Sequence, residues 1–502
     1  MNVALLFLIL YFVVMAGIGV WTTRRSSTST EDYLLAGRSL GPAVTALRLQ
    51  SSSMSGYMFL GAGSLGYTQG YFGIWYALGD LGGGIMNLSI LGRRMRKLSQ
   101  RLGSLTSIEY LEHRYRSAWV RIIAAPIALG CLFLYVLSQF VAGGVGLASV
   151  TGWNFELSLI IATGVIVLYT FLGGYLAVAY TDFVQAIVML VGMLWILIAT
   201  LQAVGGFAEG NRKVGQINQN LLTMWGADLH YQGQWGVILG ALMIFSIGYL
   251  GWPHVVVSHM AMKQPSVARG AGAYSMIFNY LFIPAPYLIG TFALVILPEL
   301  NDPEQAIFQV AQTVLPSFAV GIVMAAVMAA IMSTADALLL QASTIAAKDI
   351  MARFFLPAMT ERQMVLISRA MVLLIAVAGI GLAIWQPPAV FSLVIFATTV
   401  LGSAFVPSYV CAVWWKKANA VGAVCSMIAG SVAAVLWKLC GSDAIDPMVA
   451  GIASSTVAMV VGSLATQRTH PVPADIVDAM TEAARVAPVT DNPQLAAQFP
   501  DA

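Results

Sequence analysis

The feature that most constrains this chain is a succession of thirteen apolar segments. They lie near residues 2–21, 40–66, 72–92, 120–150, 157–178, 182–204, 235–257, 269–298, 306–347, 364–385, 388–414, 419–439 and 447–467. A helix needs about 20 apolar residues to cross a bilayer, and each segment meets or approaches that length. The expected fold is therefore all-α and polytopic, with 13 transmembrane helices. The ninth segment is too long for one helix and is expected to carry extra interfacial structure at one end. Of the 502 residues, 59% are hydrophobic and only 9% charged. A soluble domain needs far more charge to cover its surface. No basic stretch precedes the run Val3 to Trp21, which is also long for a signal-peptide core, so it is expected to be a retained span.

Basic residues set the expected orientation, because cytoplasmic loops are enriched in Lys and Arg. With the N-terminus outside, all but four of the 25 Lys and Arg fall in inner loops or the C-terminal tail. The exceptions are Arg212 and Lys213 in an outer loop and Arg48 and Lys438 within spans. The basic run Arg93 to Arg101 beside a span reads as topology retention and lipid contact rather than as a nucleic-acid patch. Cys131, Cys411, Cys425 and Cys440 are scattered in or beside spans and imply neither disulfides nor a zinc site.

Two polar clusters interrupt the apolar pattern. The first is Gln50-Ser51-Ser52-Ser53-Met54-Ser55-Gly56. Lipid offers no partner for a hydroxyl or a freed carbonyl, so such groups turn toward protein or a wet cavity. Small residues also permit a break that exposes carbonyl oxygens to a small hard cation. The second cluster, in the ninth span, is Ala330-Ile331-Met332-Ser333-Thr334-Ala335-Asp336. Its two hydroxyls with carbonyls from a broken helix suit a releasable monovalent ion. Hydroxyls also bond back to their own helix or join two helices, and that reading stays open.

Arg48, Asp80, Asp182 and Asp336 fall at or near membrane depth, where charge is costly and usually marks a pathway or a pair. Asp182 after Thr181 reads equally as a helix N-cap or as part of an ion path. Arg48 reads as a structural partner of Asp80 or Asp336, or as the holder of a substrate anion. In the seventh span, Gly248, Gly251 and Pro253 weaken the helix. Matching interrupted helices in two halves point to a transporter binding site, and spans two and seven fit, implying five-helix units at spans 2–6 and 7–11. Tyr135, Tyr249 and Trp252 form a candidate aromatic wall.

Tyr169-Thr170-Phe171-Leu172-Gly173-Gly174-Tyr175, Thr181-Asp182 with Gln185, Gly37-Arg38-Ser39-Leu40-Gly41-Pro42, Met54-Ser55-Gly56, Gly251 with Pro253-His254, and Met332-Ser333-Thr334 together resemble the sodium/solute symporter family. The resemblance covers residues 1 to 467 and is strongest to bacterial proline and pantothenate permeases. It implies a LeuT-like 5+5 inverted-repeat core. It implies a co-transported sodium ion held by the carbonyls of Ser51, Met54 and Ala330 and the hydroxyls of Ser333 and Thr334. A second ion or proton path is implied at Asp182 and Asp336, where Asp336 replaces a more usual hydroxyl. The candidate substrate site comprises Ser53, Ser55, Gly56, Tyr57, Asp80, Tyr135, Phe245, Tyr249, Trp252 and Pro253. Ser53, Phe245 and Trp252 stand where proline permeases carry Asp, Trp and Gln, which leaves the solute open between an amino acid and a carboxylate.

The expected organisation is a first helix and cytoplasmic loop (1–39), a first five-helix repeat (40–204), an external loop (205–234), a second repeat (235–414), two further helices (415–467) and a cytoplasmic tail (468–502). The tail is expected to be disordered beyond a short helix near Ile476 to Arg485. The expected activity is inward sodium movement driving uptake of a small organic solute across the cell inner membrane, with proton coupling and a solute-sensing role as alternatives. No nucleic-acid partner is expected. An intramembrane enzyme is disfavoured, since the five histidines lack HExxH spacing.

Overall fold

A computed structural model describes residues 3–26, 29–385 and 390–485. Every regular element among them is helical. Nine helices are long and apolar enough to cross a membrane among these residues. The peripheral ones, such as Leu5–Thr23 and Pro447–Ala465, bury 28% of their most apolar window, whereas Ser317–Phe355 buries 83%. That last helix is the axis of the molecule: every residue from Val323 to Ile345 is buried. A helix apolar on all sides has no wet face to offer, so its neighbours enclose it.

The expected segments deviate from simple spans in instructive places. Segments two and seven are each split. Helices Pro42–Ser53 and Gly61–Gln69 are separated by a short 3-10 turn at Gly56–Met58. Helices Trp235–Ile244 and Pro253–Met260 are likewise separated by a 3-10 turn at Gly248–Gly251. Segment three runs as Ile74–Asn87, a π-helical turn at Leu88–Gly92, and Arg93–Arg101. The overlong ninth segment divides at Pro316 into Ala306–Val314 and Ser317–Thr344.

Segments five and six form one 50-residue helical run, Phe155–Val204, with a break at Gly174. At 1.5 Å per residue such a run is about 75 Å long, more than twice the hydrocarbon core. The break therefore falls inside the fifth segment and not between segments five and six. Asp182 consequently lies eight residues inside a helix, and the N-cap reading of Thr181-Asp182 is overturned. The Thr181 hydroxyl donates back to the Ala177 and Val178 carbonyls, at 2.9 and 3.0 Å.

The stretch 205–234 is folded rather than a loop. It holds helix Phe207–Ile217, and it rests on the third segment through aromatic contacts. Phe72 stacks on Tyr231 at 3.7 Å, and the Trp75 indole donates to the Met224 carbonyl. At the basic end of the bundle, Arg121 reaches Glu112 (2.9 Å), Asp349 (3.2 Å) and Glu109 (3.3 Å). This clamps helix Ser107–Tyr115 to the end of the central helix. Burial works to raise the Glu109 carboxyl, but Lys348, the Leu105 N–H and Arg121 outweigh it and hold it below the usual carboxylate range. Helix Ala474–Ala484 docks on the same end with Ile476 and Met480 buried and Glu482 on Arg101 at 2.9 Å. The expectation of disorder in the final residues falls on 486–502, outside the described residues.

Gly174 has φ 55° and ψ −149°, a region essentially restricted to glycine. A Cβ there would meet the Tyr33 ring at 2.6 Å and the Tyr33 carbonyl at 2.7 Å. Gly174→Ala is therefore expected to cost about 1–3 kcal/mol in backbone strain, with the Tyr33 clash added. Thermal unfolding of the purified protein should report a lowered Tm with unchanged helical content; an unaltered Tm would refute the strained break.

Candidate functional site

The site begins with the break after Ser53. In a continuous helix the Ser51 and Met54 carbonyls would accept from the N–H groups of Ser55 and Met58. Here Ser55 N–H donates instead to the Ser53 carbonyl at 3.1 Å, and Met58 N–H to the Ser55 carbonyl at 2.9 Å. The Ser51 and Met54 oxygens are thereby released from their helical partners. The central helix answers the first of these. Ser333 Oγ lies 2.9 Å from the Ser51 carbonyl and 3.2 Å from that of Ala330, and Thr334 Oγ1 lies 3.5 Å from Ser51. Four of the five expected sodium ligands thus converge, with Met54 three residues further along the same break. All are fully buried.

Adjacent to this lies a charged cluster. Arg48 Nε is 3.7 Å from Asp182 Oδ2, and both side chains are buried. The guanidinium also donates to the His254 carbonyl at 3.0 Å and to Ser258 Oγ, and lies 4.5 Å from the Tyr175 ring centre. Arg48 is thus a structural partner of Asp182, not of Asp80 or Asp336. Asp336 Oδ2 accepts from the Tyr169 hydroxyl at 2.7 Å, and its carboxyl interacts electrostatically with that of Asp182. Both Asp182 oxygens and Asp336 Oδ1 accept no hydrogen bond.

The expected substrate residues divide into two groups. Ser53 Oγ donates to its own helix, at Leu49 (2.8 Å) and Gln50 (3.0 Å), and Ser55 Oγ caps the Tyr57 N–H. These shape the break and have their own backbone partners. Gly56 donates its N–H to Gln139 Oε1 at 3.0 Å. The aromatic group joins the two breaks: the Tyr57 and Phe245 rings are 5.0 Å apart, and those of Tyr249 and Trp252 are 4.4 Å apart. Tyr135 lies edge-on to Trp252 at 6.4 Å, and Pro253 opens the helix that follows. Asp80 Oδ1 accepts from the Tyr249 hydroxyl at 2.6 Å.

Several participants carry no sequence signal of their own. Gln139 lies one turn beyond Tyr135 on the same helix. Tyr11, on the first helix, accepts from Gln185 at 2.9 Å and reaches the Met332 sulfur at 3.6 Å. Tyr287 sits inside a long apolar run, and Tyr169, though part of the family-like run, carries nothing that marks it as a partner of Asp336. In a membrane protein a tyrosine among apolar residues reads first as an interface anchor, so only tertiary contact separates these from the rest.

Comparison with known proteins accounts for this arrangement. The sequence profile described as the sodium:solute symporter family matches residues 33–430. The osmoregulated proline transporter OpuE of Bacillus subtilis is 31% identical over 469 residues, covering 91% of this chain and 94% of its own. The sodium/proline symporter of Escherichia coli K12 is 29% identical, covering 91% of each chain. Among solved structures, a substrate-bound, outward-open Na+-coupled sialic acid symporter superposes with a TM-score of 0.77 at 18% identity, covering 92% of this chain and 98% of its own. That likeness establishes the fold, a helical bundle built around broken spans. A helix broken beside a buried pair of hydroxyls, and a match across most of the sequence, lead to one conclusion: this chain is a multi-pass membrane protein that belongs to the sodium:solute symporter family.

Proposed function

We propose that the protein is a secondary active transporter that couples inward sodium movement to uptake of a small organic solute by alternating access. The observation that carries this reading is the Ser333 hydroxyl seated 2.9 Å from the released Ser51 carbonyl. Sodium favours hard oxygen ligands, as other hard cations do. In this reading the ion lies among the Ser51, Met54 and Ala330 carbonyls and the Ser333 and Thr334 hydroxyls. The driving force is adequate. One charge moving through ~100 mV yields about 2.3 kcal/mol, and a roughly tenfold gradient adds about 1.4. The family membership and the proline transporters among its relatives support an amino acid such as proline as solute, with a carboxylate such as pantothenate as the other class.

The architecture proposed with it has thirteen crossings in a LeuT-like 5+5 core. The nine long helices, the division of the 50-residue run at Gly174 and the three interrupted segments add up to that number. The repeats span 40–204 and 235–414, with 415–467 as two outer helices. The distribution of Lys and Arg supports an external N-terminus, a cytoplasmic tail and residence in the cell inner membrane.

A second reading adds a proton or a further ion at Asp182 and Asp336. Arg48 pairs with Asp182, Asp336 interacts with that pair in the same fully buried cluster, and three of the four carboxylate oxygens accept no hydrogen bond. Taken as fully ionised, the cluster carries one uncompensated negative charge, which is costly at membrane depth. A bound proton or cation would remove it.

Two outcomes test these readings. Ser333→Ala and Thr334→Ala are each expected to raise the sodium concentration for half-maximal uptake in proteoliposomes by roughly tenfold, equivalent to about 1.4 kcal/mol of ion binding. Unchanged sodium activation in both would remove the assignment. Arg48→Met is expected to destabilise the protein by about 3–5 kcal/mol, because it strands a buried charge. Arg48→Met with Asp182→Asn should recover much of that loss in a double-mutant cycle; strictly additive losses would rule out the pair.

A further inference from the structure

Asp80 is 1% exposed, and among the described residues no Lys, Arg or His side chain pairs with it. Two other deeply buried carboxylates have a basic group at hand. Asp182 has Arg48, and Asp349 has Arg121. Among the described residues, the Asp80 carboxylate accepts a hydrogen bond from the Tyr249 hydroxyl. Its surroundings are otherwise aromatic. Tyr249 packs on Trp252 and lies 6.1 Å from Phe245, which in turn packs on Tyr57. The Tyr57 hydroxyl lies 3.2 Å from that of Tyr287, and both tyrosines sit within electrostatic range of Asp80. The Tyr135 hydroxyl, likewise buried, interacts with the Ser55 side chain and lies within electrostatic range of Asp80.

The position of Asp80 is held from outside this cluster. Asn279 donates to the Asp80 carbonyl at 3.2 Å. Three residues on, Gly83 lets its helix approach the second break so closely that a Cβ would stand 2.1 Å from the Phe245 carbonyl. The carboxylate is therefore presented to the two helix breaks by rigid elements. It is not a surface group folded inward by chance.

An uncompensated carboxylate at membrane depth needs a cation or a proton. Sodium fits this place poorly, since the walls are aromatic rings bearing phenol hydroxyls rather than a shell of carbonyls and carboxylates. Rings do attract an organic cation, whose charge lies favourably over the faces of Trp, Tyr and Phe, and most strongly where water is excluded. We propose that Asp80, with Tyr57, Phe245, Tyr249 and Trp252, binds the positively charged nitrogen of the transported solute. The solute is then an amino acid or another organic amine or quaternary ammonium compound, and not a carboxylate without a cationic nitrogen, such as pantothenate. This deepens the symporter reading and rests on it.

The test uses the purified full-length protein and matched probes that differ in nitrogen charge. L-proline is paired with tetrahydrofuran-2-carboxylate, which replaces the ammonium by an ether oxygen. Choline is paired with 3,3-dimethyl-1-butanol, its uncharged carbon counterpart. Thermal stabilisation is titrated in saturating sodium chloride. At least one cationic probe is expected to stabilise the protein, with its neutral partner at least roughly tenfold weaker, a difference of about 1.4 kcal/mol. Asp80→Asn, which preserves shape, should abolish that preference while leaving the stabilisation by sodium alone unchanged. Asp80→Glu should restore part of it. Stabilisation by neither cation, equal stabilisation by both members of each pair, binding of pantothenate alone, or an undiminished preference in Asp80→Asn would each overturn the proposal. The comparison of paired probes on the unaltered protein stands even if the variants fold poorly. Sodium stabilisation that disappears in Thr334→Ala keeps the symporter reading intact whatever the outcome at Asp80; its absence from the unaltered protein would instead strike that reading.

Discussion

The contact between the Ser333 hydroxyl and the Ser51 carbonyl is the joint on which the rest of the molecule depends. A carbonyl that has lost its helical partner is expensive in a medium without water, and a membrane protein must supply another partner from within. The central helix does so from a face that is otherwise apolar. Its burial on every side is what makes the supply dependable: Val323 to Ile345 have no lipid-facing side toward which the helix could turn. A cation placed among these oxygens competes for the same lone pairs that the two hydroxyls now contact. The joint therefore has two ways of being satisfied, by hydroxyl hydrogens or by an ion, and exchanging them alters how firmly the break is held to the axis.

Around that joint, charge is arranged in a graded fashion. Arg48 stands on the short helix that ends at the break and ties it to Asp182 on the long kinked run and to the carbonyl of His254 just after the second break. Three elements, whose spacing would change in the proposed alternating-access cycle, thus share one guanidinium. Arginine suits this task because its planar fork serves several acceptors at once and does not lose its proton. Asp336, held by Tyr169, lies on the far side of the same cluster.

Much of this is legible in the sequence. The serine cluster and the Ser333-Thr334 pair stand out because hydroxyls and small residues disrupt an apolar run, and Gly248, Gly251 and Pro253 mark the second break for the same reason. What escaped was whatever depends on tertiary geometry. The break at Gly174 lies within unbroken hydropathy, and one glycine among many in membrane helices gives no reason to choose it; the placement of Asp182 at a helix start followed from that omission. Arg48 is expected to pair with Asp80 or Asp336, and nothing in the sequence singles out Asp182, whose helix only tertiary packing brings to it. Residues 205–234 look like a loop because their apolar groups, Trp225 and Tyr231 among them, are too sparse to show a period. They fold because the third segment offers Phe72 and Trp75 as a platform.

The two halves of the site meet through the breaks themselves. Releasing Ser51 and Met54 toward the proposed ion position also sets the turn at Gly56–Met58, and that turn places the Tyr57 ring against Phe245. The second break does the corresponding work for Tyr249 and Trp252, whose neighbour His254 offers its carbonyl to Arg48. No separate linkage is then required between ion and solute. Whatever straightens or tightens the first break alters the ion oxygens and the aromatic wall in one movement. By thermodynamic reciprocity, a solute that prefers the wall in one arrangement must change sodium affinity by the same factor that sodium changes its own. In the proposed reading, coupling is a property of helix geometry: a span that is broken has one hinge, and both ligands would be bound to it.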